Sequence, residues 1–109
     1  MANYILDADG DPRLCLNLKE FNIWFEKPAN RFLLQTDIKD ILVSTVFLGI
    51  DHAPSYARTP ILWETMVFRG KKSLDDYTNR YTTKDDAIKG HMKACKKIKR
   101  DLKKGLTLV

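Results

Sequence analysis

The sequence predicts an α+β domain: a mainly antiparallel meander of about four to five strands with two helices packed on one face, in the order β-α-β-β-β-β-α. Three observations carry that reading. β-Branched and aromatic residues crowd the middle of the chain, residues 31–68. Apolar residues recur with helical spacing in two stretches, one opening at Asn17 and one covering 83–104. Between two of the middle segments lies only Lys39-Asp40, short enough for a hairpin. The 109 residues suit a single domain spanning 1–109, with 44% apolar and 30% charged residues, too apolar for a disordered chain.

Tyr4-Ile5-Leu6 reads as a strand entering a turn made of Asp7-Ala8-Asp9-Gly10-Asp11-Pro12. Asn17 is the expected N-cap of the first helix. Glu20 stands at its capping-box position, and Leu18, Phe21, Trp24 and Phe25 are assigned to one face. Pro28 disfavours helical geometry at Lys27 and ends that helix. Strands are predicted from Arg31 to Ile38, Ile41 to Ile50 and Ile61 to Phe68, with the proline-containing loop 51–60 before the last of these. The two strands flanking that loop are apolar on both faces, the pattern of strands covered on two sides by helices or by another copy of the chain. Arg69 to Asp76 is a polar connection, and Tyr77 to Thr82 a weaker fifth strand.

Thr83 caps the second helix, with Asp85 and Asp86 in its first turn, and Gly105 closes it as the C′ residue. Ile88, His91, Met92, Cys95, Ile98 and Leu102 form its apolar stripe, with Lys99 inside that stripe and snorkelling past the edge. The tail after Gly105 is expected to be loose.

Charge is unevenly distributed. The chain carries +5 in total, but residues 84–104 hold nine Lys and Arg against three Asp, a local +6 that leaves the remainder at −1. Lys89, Lys93, Lys96, Lys97, Arg100 and Lys103 therefore make a candidate polyanion-binding face on one basic amphipathic helix. A solvated helix surface is its plain alternative, since aromatic residues for base stacking are not interleaved with the lysines.

A second candidate lies on the middle strands. Ser44 and Thr45 interrupt one apolar strand, as Glu64 and Thr65 interrupt its neighbour. If those strands pair, Ser44, Thr45, Glu64 and His52 share a neighbourhood, a candidate ligand pocket. His52 with Glu64 also supplies the residue types of general acid–base chemistry, so a small hydrolase or phosphodiesterase is the enzyme alternative. No catalytic residue is assigned, because no Gly-rich phosphate loop, nucleophile elbow or HExxH accompanies them.

Metal and cofactor are not expected. Asp7, Asp9 and Asp11 alternate like a calcium loop, but Pro12 and Leu18 occupy the positions where such a loop needs Gly and Glu, so a hairpin-like turn is preferred. His91 and Cys95 are spaced to share a zinc ion, yet they lie in the apolar stripe without a second pair, and buried packing is the expected role. Cys15 and Cys95 show no disulfide framework, which favours a reducing compartment. No membrane span or signal peptide is evident in the sequence.

Several segments together resemble a family of short proteins encoded in bacteriophage and prophage genomes. They are Tyr4-Ile5-Leu6-Asp7, Asp9-Gly10, Pro12, Trp24-Phe25-Glu26, Val43 to His52, Leu62 to Phe68, Arg80-Tyr81-Thr82-Thr83 and Gly90-His91. The resemblance implies a phage-encoded binding protein acting in the host cytoplasm, and the doubly apolar strands point to an oligomer. It would counter or modulate a host process, such as anti-phage defence, by binding a host protein or sequestering a nucleotide-type ligand. A nucleic-acid-binding accessory role through the lysine-rich helix is the other reading.

Overall fold

The computed structural model describes residues 2–105; residues 106–109, the expected loose tail, lie outside the described part. The predicted class and order are present, with two short strands added. The strands are β1 (Tyr4–Leu6), β2 (Pro12–Leu14), β3 (Phe32–Ile38), β4 (Ile41–Phe47), β5 (Trp63–Arg69), β6 (Lys72–Ser73) and β7 (Asn79–Tyr81). The helices are α1 (Leu18–Phe25) and α2 (Lys84–Lys103). β1 and β2 form a separate antiparallel hairpin. The main sheet runs β3-β4-β5, and β6 and β7 share the far edge of β5, β6 opposite Phe68–Arg69 and β7 opposite Trp63–Thr65.

β2 was not foreseen, because Pro12 looked only like a turn residue. The carboxylate of Asp7 accepts from the N–H groups of Asp9 and Asp11, both at 2.9 Å, and bends the chain back so that Leu6 pairs with Pro12. A proline is tolerated in so short a ribbon. The strand expected over Ile41–Ile50 ends at Phe47, and that expected over Ile61–Phe68 runs Trp63–Arg69. Lys39, at φ 56°, takes the left-handed position that the two-residue β3–β4 turn demands.

In α1 the Asn17 side chain accepts from the Glu20 N–H at 3.0 Å, as predicted. The Glu20 carboxylate turns to Arg13 and the Cys15 thiol, tying the helix to β2. Leu18, assigned to the packed face, is exposed, whereas Phe21 is buried and Trp24 packs edge-on against Phe47. Thr83 caps α2 by accepting from the Asp86 N–H, and Gly105 follows its C-terminus at φ 72°.

Both helices lie on the same sheet face. Ile41, Val43 and Val67 project towards Cys95 and Ile98 of α2; Phe47 and Trp63 project towards Ala87 and Trp24. The outer face, with Leu42, Ser44, Val46, Glu64, Met66 and Phe68, carries no helix among the described residues, so there the doubly apolar strands are not enclosed by helices on two sides. Its apolar members are half-buried among one another and among polar neighbours. The α2 stripe is also narrower than predicted. Ala87, His91, Cys95, Ile98 and Asp101 are buried, but Ile88, Met92 and Lys99 are exposed, because docking turns the helix by a fraction of a turn from the purely apolar centre.

That turn is set by a polar chain. His91, 1% exposed, accepts or donates at both ring nitrogens: Nε2 lies 2.8 Å from Thr36 Oγ1, and Nδ1 lies 2.7 Å from Thr45 Oγ1. Thr45 Oγ1 is 2.6 Å from Thr65 Oγ1, which accepts from the Tyr81 hydroxyl at 3.0 Å. The ordering that gives the hydroxyl hydrogens of Tyr81, Thr65 and Thr45 an acceptor runs Tyr81 to Thr65 to Thr45 to Nδ1, leaving Nε2–H to donate to Thr36. A neutral imidazole is required, and burial lowers the His91 pKa below its ordinary 6.5.

A lowered folded-state pKa stabilises the protein fully above pH 6.5, and that contribution is lost as pH falls below 6.5 and through the lowered value. The melting temperature measured by circular dichroism is therefore expected to drop between pH 7 and pH 5 more steeply in the native protein than in His91→Gln. Parallel profiles would refute this role for His91.

Candidate anion-binding cleft on α2

Of the four predicted pocket residues, only Ser44 and Glu64 share a surface. Side chains alternate along β4, so Thr45 faces α2 and joins the His91 chain while Ser44 faces outward. Ser44 accepts from the Gln35 amide at 2.6 Å. Glu64, 8% exposed, receives the Arg80 guanidinium at 2.7 Å from directly across the β5–β7 register. His52 is exposed on the loop after β4, and its Nδ1 donates to the Ile50 carbonyl at 2.6 Å. Asp51 holds the same loop shut by accepting from the N–H groups of Ala53 and Ile61. Each of these residues is thus engaged by a different neighbour, and the polar groups stabilise strand pairing and loop closure.

The predicted basic residues converge instead. Lys93, Lys96, Lys97 and Arg100 line one surface cavity of about 370 Å³. Lys93 and Lys97 also line an adjoining cleft of about 190 Å³, whose other wall is the segment Asp76–Asn79 together with Tyr81. Lys89 and Lys103 are exposed on the same helix but line neither cavity.

Local sequence builds this cleft. Gly90 lies directly beneath Tyr81, where a Cβ would collide with the phenol ring, so the missing side chain admits the tyrosine to the helix surface. Gly90, Lys93 and Lys97 follow one another along the same flank of α2. Lys97 Nζ stands 5.1 Å from the centre of the Tyr77 ring. Tyr77 in turn donates to Asp101 at 2.6 Å, and burial, reinforced by the Asp101 carboxylate, pushes its pKa up to about 12. The phenol therefore stays neutral and keeps its own proton, directed at the Asp101 carboxylate.

This arrangement leaves the cleft electropositive. Asp85 and Asp86 sit in the first turn of α2, and Asp101 is turned inward onto Tyr77. Among the described residues Lys93, Lys96 and Lys97 make no ion pair, and Arg100 approaches only Asp101, at 3.8 Å. Among the described residues Asp76 is the one acidic residue lining the smaller cleft. Sequence reading found the lysines but missed Tyr77, Asn79 and Tyr81, which sat in the segment read only as a weak fifth strand. Gly90 was the available signal, since a glycine inside a helix marks close packing.

A larger groove of about 480 Å³ lies beside α1, lined by Ile5, Ile23 and Trp24 with Lys19, Lys27 and Glu20 around them. Its charges are mixed and do not converge. Among the described residues no group of three or more His, Cys, Asp and Glu is placed to hold a metal ion, and no helix is long and apolar enough to cross a membrane. Comparison with protein-family models, curated proteins and solved structures gives no match to this chain.

Replacing Gly90 by Ala is expected to destabilise the protein by about 1–2 kcal/mol, because overpacking against Tyr81 outweighs the gain of roughly 1 kcal/mol in helix propensity. Chemical denaturation of Gly90→Ala decides the sign; an unchanged or raised midpoint would show that the cost of displacing Tyr81 does not exceed the propensity gain.

Proposed function

We propose that this chain is a small phage-encoded binding protein of the host cytoplasm, which counters or modulates a host process by holding a phosphate-bearing ligand or partner against α2. The observation that carries the reading is the convergence of Lys93, Lys96, Lys97 and Arg100 on one cavity whose acidic neighbours are withdrawn. Unpaired lysines facing a concave surface exchange weakly held counterions for phosphate oxygens, and the released ions favour binding. The smaller cleft adds Asn79, whose amide suits a nucleotide's phosphate or sugar, with Tyr81 as a wall beside Lys93 and Lys97. The resemblance of residues 4–91 to small phage proteins supports the setting. His52 and Glu64, the residue types that suggested a hydrolase, have separate partners, which favours binding over turnover.

A nucleic-acid ligand is the second reading, favoured by the extension of the same positive surface through Lys89 and Lys103. The two readings separate by length. A nucleotide-type ligand predicts a thermal shift with mononucleotides that Lys93→Glu/Lys97→Glu abolishes. A nucleic acid predicts retention of labelled DNA or RNA but no shift with mononucleotides. If four cations engage duplex phosphates, the logarithm of affinity falls against the logarithm of salt concentration with a slope of about −3 to −4. Neither a shift nor salt-sensitive retention, or binding that survives the charge reversal, would overturn the assignment to α2.

A further inference from the structure

β3 is the long outer strand of the main sheet, and no strand pairs with its free edge among the described residues. The opposite edge is covered by the two- and three-residue strands β6 and β7. Edges of soluble proteins are ordinarily blunted by lysine, proline or bulges. β3 contains no Lys or Pro, its irregularity is confined to Phe32–Leu34, and Asp37 is its single charged residue.

The hydrogen-bond phase of the free edge can be read from its neighbours. The Phe47 N–H donates to the Arg31 carbonyl, and a two-residue turn closes on the bonded pair Ile38–Ile41. Leu34, Thr36 and Ile38 therefore bond to β4, and the N–H and C=O groups of Gln35 and Asp37 point outward. Gln35 lies midway along the strand, so a second β3 running antiparallel meets it with Gln35 opposite Gln35.

The side chains around this edge are self-complementary as well. Gly90 under Tyr81 and Lys97 over Tyr77 turn one flank of α2 towards β7; His91 bonded to Thr36 marks the side nearer β3. On that β3 flank Asp85, Ile88, Met92 and Lys99 follow at helical spacing. Ile88 and Met92 are 37% and 55% exposed, and Phe32 is 53% exposed at the end of β3. A two-fold axis at Gln35 passes close to Met92, one residue from the His91 that touches Thr36. Asp85 and Lys99 each stand seven residues from Met92, so the axis sets the aspartate of one copy opposite the lysine of the other.

We propose that this flank is the interface with a second copy of the chain, joined edge to edge through β3 with Ile88 and Met92 packed beside the axis. The surface is separate from the cleft lined by Lys93 and Lys97, so the proposal stands independently of the ligand.

Sedimentation velocity of the full chain over a range of concentrations is expected to show a monomer–dimer equilibrium. Met92→Glu, at an exposed position, and Gln35→Pro, which removes an N–H the hairpin does not use, are each expected to raise the dissociation constant at least tenfold while circular dichroism stays native. Gln35→Cys is expected to form a symmetric disulfide on oxidation, because bonded antiparallel pairs have Cα atoms about 5.5 Å apart. Met66→Cys on the outer face is expected not to cross-link. A native chain that is monomeric throughout, a dimer that survives both Met92→Glu and Gln35→Pro, or cross-linking at Met66 in place of Gln35 would each overturn the proposal.

Discussion

The bridge from His91 to Thr36 and Thr45 is the constraint on which the arrangement of this molecule turns. Apolar contact alone would let α2 roll on the sheet, since Ile88 and Met92 are as hydrophobic as the residues that end up buried. Hydrogen bonds at both ring nitrogens, to threonines on two adjacent strands, do not tolerate that freedom. With His91 at the centre, Gly90 falls under Tyr81 and Lys97 over Tyr77 on one side, while Ile88 and Met92 are left in solvent on the other. The polar chain continues through Thr65 to Tyr81, so the residue that walls the basic cleft belongs to the network that fixes the helix.

The sequence resolved elements better than it resolved their rotation. Hairpin signals at Lys39-Asp40 and caps at Asn17 and Thr83 are local, and the structure uses each where it was read. The α2 stripe was centred on its apolar residues because hydrophobicity was the only available guide to its inward face. Partners for His91 come from positions 36 and 45, far along the chain, and no helical periodicity reports them. β2 escaped for a related reason: its three residues form a strand through the Asp7 turn that returns them to β1.

The candidate site shows the same division. Lys93, Lys96, Lys97 and Arg100 were recognisable because a cluster of like charge needs no tertiary information. Ser44, Thr45, Glu64 and His52 were grouped by strand adjacency, and adjacency was correct for β4 and β5. The pleat then sent Thr45 to the other side from Ser44 and Glu64, and the loop carried His52 to its own carbonyl partner. A grouping that depends on facing is decided by a single residue of register, whereas a charge cluster survives any rotation that leaves it in solvent.

The two flanks of α2 consequently carry different properties although they share one helix. The acidic first turn and basic second half make the helix electrically polar along its length, so two antiparallel copies attract where two parallel copies would repel. Pairing on the β3 side would leave the flank bearing Gly90, Lys93 and Lys97 facing away from the axis and open to solvent. A symmetric pair would then present two basic clefts on one continuous sheet. A ligand long enough to reach both would be held by two sites acting together, with affinity set by their separation as much as by the lysines in either.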